Sequence, residues 1–93
     1  ATATVRSVFI IDPNQKVRLI MTYPMTVGRN FNEILRVIDA LQTTDRDEVA
    51  CPADWMPGDS VIIRPTVSDE DAKEKFPQGW KTLRPYLRLT DIK

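Results

Sequence analysis

Tyr23-Pro24-Met25-Thr26-Val27-Gly28-Arg29-Asn30-Phe31-Asn32-Glu33-Ile34-Leu35-Arg36 is the stretch on which the fold turns. Pro24 lacks a backbone donor and ends the extended run before it. Gly28 permits a tight turn. Asn30 is a good helix N-cap, and Glu33 stands three residues on, at the capping-box position. Phe31, Ile34, Leu35, Ile38 and Leu41 then recur at helical spacing, which predicts a helix from Phe31 to Gln42 with one apolar stripe. The polar run Thr43 to Glu48 reads as a surface connection.

Upstream, Val5 to Ile11 is nearly continuous apolar sequence, interrupted by Arg6, and reads as a strand covered on both faces. Asp12-Pro13-Asn14-Gln15-Lys16 supplies turn chemistry. Val17 to Tyr23 alternates, with Val17, Leu19, Met21 and Tyr23 on one side, and completes a hairpin. Downstream the chain changes character. Pro52, Pro57, Pro65, Pro77 and Pro85 punctuate it. Val61 to Ile63 predicts a short strand, Ser68-Asp-Glu-Asp opens a helix of about two turns to Phe76, and Tyr86 to Leu89 is extended. Trp55, Phe76, Trp80 and Tyr86 read as anchors that dock this Pro-rich arm on something else. The inventory is a hairpin at the end of a larger sheet, one covering helix and an arm. Alone it makes a weak domain, because an isolated hairpin is marginal in water.

Composition narrows the function. Thirteen Lys and Arg balance thirteen Asp and Glu, so no basic excess points to nucleic acid. No apolar run reaches the length of a membrane span, and no signal-peptide pattern opens the chain. The single cysteine cannot staple the domain internally, which favours a cytoplasmic or similarly reducing location. Histidine is absent, and no metal-ligand cluster, phosphate loop or dinucleotide glycine pattern occurs. Ala1 to Val5 run into the strand pattern without a Met, as a processed chain or the second piece of a cut polypeptide would.

Three residues could carry chemistry. Arg6 reads either as a strand-end arginine whose head reaches water or as a fixed donor fork aimed into a site. Arg29 is a loop arginine at the positive end of a helix, where a carboxylate partner would help explain it. Cys51 has the ordinary reading of a small buried hydrophobe.

Arg6-Ser-Val-Phe-Ile-Ile-Asp12, Thr26-Val-Gly-Arg-Asn-Phe31 and Val49-Ala-Cys-Pro-Ala-Asp-Trp55 together resemble the C-terminal half of a peroxiredoxin. Gly58-Asp-Ser-Val-Ile-Ile63, the acidic helix, Phe76-Pro-Gln-Gly79 and Tyr86-Leu-Arg88 are similar to the one-cysteine branch. The family attacks peroxide with a cysteine in a Pro-x-x-x-Thr-x-x-Cys run, and this sequence contains none. The resemblance implies an α/β, thioredoxin-like fold, represented here by its C-terminal half, with residues 1–48 in the core and 49–93 in a C-terminal extension. It implies reduction of hydrogen peroxide and organic hydroperoxides without a cofactor, once the half carrying the peroxidatic cysteine is present. It places Arg6 beside the reacting sulfur and Arg29 as its support. It implies a homodimer through the hairpin edge and arm, and an external thiol reductant such as thioredoxin or glutathione.

For Cys51 the resemblance leaves two roles open. Ala50-Cys51-Pro52 is similar to the triplet that carries the resolving cysteine of two-cysteine members, whereas everything after it follows the one-cysteine branch, where a Thr is usual. The longer signal is the one followed here. Asn14 cannot carry a negative charge, so the phospholipase activity that an Asp there supports in some animal members is not carried over. The alternative to an enzyme is a non-catalytic dimerisation or binding module derived from a peroxiredoxin.

Overall fold

The computed structural model describes residues 6–92. Val5, expected to begin the first strand, and the rest of the leading segment lie outside the described residues. The chain divides into two compact units, Ala1–Ile34 and Leu35–Lys93.

The first unit is an antiparallel hairpin of β1 (Arg6–Ile11) and β2 (Val17–Tyr23), with Arg6 opposite Tyr23 and Phe9 opposite Ile20. Asp12 organises its turn. One carboxylate oxygen accepts from the backbone N–H groups of Asn14 and Lys16, each at 2.9 Å, and the other faces the Arg18 guanidinium at 3.5 Å. Gln15 adopts φ 64° beneath it, and the register slips between Ile10 and Ile11. The Lys16 N–H holds the Asp12 carboxyl below the usual carboxylate range, with Asn14 and Arg18 adding to the effect against desolvation. Among the described residues no third strand joins the hairpin. Among these residues β1 is not covered on both faces: Phe9 and Ile11 are 55% and 59% exposed, while Val8 and Ile10 are half-buried.

The chain leaves β2 through a turn closed by Val27 N–H on the Pro24 carbonyl, 3.0 Å. Gly28 is not the turn's left-handed residue, and no atom crowds it. Helix α1 then spans Phe31–Asp47, five residues beyond Gln42. Two features outside the apolar stripe carry the extra turn. Arg64 donates to the carbonyls of Thr44 (3.1 Å) and Val49 (3.3 Å), supplying partners that a helix end lacks. Glu48 takes φ 54°, a left-handed stop just past the last helical residue. Within the stripe, Phe31 and Leu35 are exposed and Ile34, Ile38 and Leu41 half-buried; off the stripe, Ala40 packs on the second unit's core and Thr43 is buried.

The second unit holds the buried core. β3 (Val61–Ile63), β4 (Lys81–Arg84) and β5 (Leu87–Thr90) form an antiparallel sheet in the order β3-β5-β4. Strand β4 was not expected, and it turns back into β5 through Pro85 and Tyr86. Helix α2 (Asp69–Lys75) begins on Ser68, whose hydroxyl accepts from the Asp71 N–H at 3.2 Å. Val49, Trp55, Val61, Ile63, Ala72 and Phe76 pack together. Each large apolar side chain removed from water here contributes roughly 1.5–3 kcal/mol. The arm thus uses Trp55 and Phe76 in its own core, contrary to the expected docking role, and Trp80 packs against that core, whereas Tyr86 is 66% exposed.

Arg88 ties this unit together. Its side chain is 7% exposed. It donates to Asp69 (2.8 Å), to the Arg64 carbonyl (3.0 Å) and to the Val67 carbonyl (2.5 Å). A guanidinium withdrawn from water needs such a set of partners.

Candidate functional site

Arg6 and Arg29 both belong to the first unit. Arg6 opens β1 and is exposed; in the antiparallel register it faces Tyr23, the last residue of β2. Directly opposite residues share a face, with Cβ atoms about 4.5–5.5 Å apart. Tyr23 is half-buried, and its hydroxyl accepts the Asn30 N–H at 3.2 Å. Asn30 in turn caps α1, its side-chain oxygen accepting the Glu33 N–H at 3.0 Å. Arg29 is the residue before that cap, and its guanidinium lies 5.6 Å from the centre of the Phe31 ring. The strand pairing, the phenol and the helix cap therefore bring the two arginines' backbones to one end of the hairpin.

Such an end is suited to anionic chemistry. Two guanidiniums present up to ten N–H donors. They would lower the pKa of a thiol brought against them and stabilise charge growing on an oxygen. The aromatic face of Phe31 is the neighbour of the Arg29 guanidinium. Tyr23 was read from sequence only as a strand residue. Its link to Asn30 could have been found only by combining the hairpin register with the cap.

Cys51 belongs to the second unit. It is half-buried against the core, with its sulfur 3.9 Å from the Ala40 carbonyl. Burial pushes the thiol pKa up, and the Arg36 charge offsets part of that. A protonated thiol is a poor nucleophile. Arg36 donates to the Trp55 carbonyl at 3.1 Å.

Among the described residues no group of three His, Cys, Asp or Glu could hold a metal ion, and no helix is long and apolar enough to cross a membrane. An open cleft of about 800 Å³ in the second unit is lined by Ser60, Gln78, Trp80, Lys81, Thr90 and Asp91. Several of its polar groups already bond within the chain: Ser60 to Asp91, Gln78 to the Asp91 carbonyl and Thr90 to the Gly79 carbonyl.

The α/β arrangement matches the C-terminal part of a thioredoxin-like peroxiredoxin fold, as comparison with known proteins shows. The family profile described as the C-terminal domain of 1-Cys peroxiredoxin matches residues 40–79. A mitochondrial peroxiredoxin of Saccharomyces cerevisiae is 60% identical over 90 residues, 97% of this chain and 34% of its own length. A 1-Cys peroxiredoxin of Dictyostelium discoideum is 55% identical over 96% of this chain and 37% of its own. A solved structure of yeast mitochondrial 1-Cys peroxiredoxin superposes with a TM-score of 0.90 at 57% identity, covering 94% of this chain and 40% of that one. The chain belongs to the one-cysteine peroxiredoxins and corresponds to their C-terminal part. It spans a little over a third of the length of these relatives.

Proposed function

We propose that this chain supplies the arginine-bearing part of a thiol peroxidase. The observation that carries the reading is that Arg6 and the backbone beside Arg29 both adjoin Tyr23 at one end of the hairpin, in a chain 57% identical to a 1-Cys peroxiredoxin over nearly its whole length. The attacking cysteine comes from the N-terminal half of the same enzyme. Its thiolate attacks one peroxide oxygen, the O–O bond breaks, and the sulfur leaves as sulfenic acid. The other oxygen departs with a proton as water, or as alcohol from an organic hydroperoxide. Arg6 lowers the thiol pKa and stabilises the departing oxygen; Arg29 supports Arg6.

Recovery needs two equivalents of external thiol. The first condenses with the sulfenic acid, forming a mixed disulfide and releasing water. The second attacks that disulfide, releasing the oxidised reductant and the enzyme thiol. Thioredoxin or glutathione fits this role, and the yeast structure concerns thiol resolving through the glutathione and thioredoxin systems. Cys51 is neither attacking nor resolving thiol, a reading supported by its packing and raised pKa. Residues 1–48 act as the end of the catalytic core and 49–93 as the extension. The complete enzyme is a homodimer through the hairpin edge and arm, in the cytoplasm or, as the yeast relative's name indicates for that protein, in mitochondria.

The test is complementation. The chain alone should consume hydrogen peroxide no faster than an ordinary free thiol. Together with a polypeptide carrying the Pro-x-x-x-Thr-x-x-Cys run, it should turn over peroxide at the expense of thiol. Turnover by the chain alone would make Cys51 the nucleophile. A well-folded complex without turnover would favour the non-catalytic dimerisation module.

A further inference from the structure

Tyr23 lies opposite Arg6 in the β1–β2 pair, and its hydroxyl oxygen accepts the backbone N–H of Asn30, the residue that follows Arg29. The hydroxyl's own proton points to the Met21 sulfur at 3.8 Å, a weak acceptor. So the strong bond made by this phenol is the one to the start of α1. The Asn30 side chain is engaged with the Glu33 N–H.

We propose that Tyr23 is a positioning residue for the peroxidase site, fixing Arg29 and the α1 cap against the strand end that carries Arg6. This rests on the function proposed above. The turn after Pro24 is closed by the Val27 N–H on the Pro24 carbonyl. Without the phenol, the start of α1 loses the bond from the Asn30 N–H to β2. Arg29 keeps its contact with Phe31, and Arg6 keeps its strand partner, but the distance between the two guanidiniums is no longer set. Preorganised charge loses much of its effect when the donors must reorganise during the reaction.

The experiment uses the full-length enzyme and Tyr23→Phe, which keeps the ring and removes the hydroxyl. The second-order rate constant with hydrogen peroxide should fall about tenfold, since small displacements of a catalytic group carry penalties of this order. The pH–rate midpoint of the attacking thiol should move upward, because its cation is less well placed. Arg6→Ala combined with Tyr23→Phe should be no slower than Arg6→Ala alone, since the phenol acts through the arginines. Far-ultraviolet dichroism and thermal unfolding monitor folding of each variant. An unchanged rate and pH midpoint in a folded Tyr23→Phe enzyme would overturn the proposal, and so would a double variant whose losses multiply. Wild type that folds and shows no turnover would overturn the functional reading itself, and this inference with it.

Discussion

The two units of this chain solve the same problem in opposite ways. The hairpin unit exposes Phe9, Ile11, Val17 and Ile20, while the second unit encloses Val49, Val61 and Ile63 completely. Both are comparably apolar in sequence. What differs is the number of layers. Two strands offer no second layer to the hairpin faces. In the second unit a three-stranded sheet, a short helix and the end of α1 close around one core. The self-sufficient part therefore carries the packing. The incomplete part carries the arginines, as expected of a piece that finishes its site against other sequence.

The comparison is broken most directly in the core. Phe76→Ala should destabilise the chain by about 4 kcal/mol, the cost of a large cavity in a closed cluster. Phe9→Ser, at an exposed hairpin position, should change the chain's stability by less than about 0.5 kcal/mol. Urea denaturation of both variants reads the difference. Equal losses would mean that the two units share one core.

Activity should show the reverse asymmetry. In the full-length enzyme Arg6→Ala should lower the rate with peroxide by about 100- to 1000-fold, as expected for loss of one preorganised donor group. Arg29→Ala should act in the same direction and less. Stopped-flow consumption of hydrogen peroxide measures both. An Arg6→Ala enzyme with the wild-type rate would remove Arg6 from the site.

Arg88 sharpens the contrast between structural and functional arginines. Arg88→Met keeps apolar bulk and leaves the Arg64 and Val67 carbonyls without this donor. It should cost about 2 kcal/mol of stability, the scale of a buried group left unpaired, and leave the peroxide rate constant of the folded enzyme unchanged. A loss of rate without loss of stability would place Arg88 in the catalytic machinery.

The smallest effect concerns Cys51. Its folded thiol pKa lies above the unfolded value, since desolvation outweighs the Arg36 charge. Its contribution to stability is thus present below the unfolded pKa and is lost as pH rises through the folded one. Alkylation of Cys51 by iodoacetamide should be slower at pH 7 than that of an unfolded cysteine, with a midpoint shifted upward. A midpoint below that of a free thiol would return Cys51 to candidacy as a reactive residue. In the full enzyme, peroxide should yield no disulfide that depends on Cys51.

Much of the fold follows from local rules. Asn30 and Ser68 accept the N–H groups expected of N-caps. Asp12 closes its turn, and the hairpin and two helices lie where period and punctuation put them. These depend on residues within a few positions of one another. Arg6, Arg29 and Cys51 were visible as candidate chemistry, because a charge in an apolar run or a lone thiol is conspicuous, and the family resemblance supplied the roles proposed for them. Tertiary structure decided the rest. The last turn of α1 depends on Arg64, twenty residues from Thr44. Strand β4 exists because β5 offers it an edge. The aromatic residues of the Pro-rich segment turn inward because a sheet forms there to receive them. Tyr23 joins the neighbourhoods of the two arginines only once β1 and β2 are in register. Each is a contact between segments whose separation along the chain no local pattern records, and its free energy appears only when both partners are held in place.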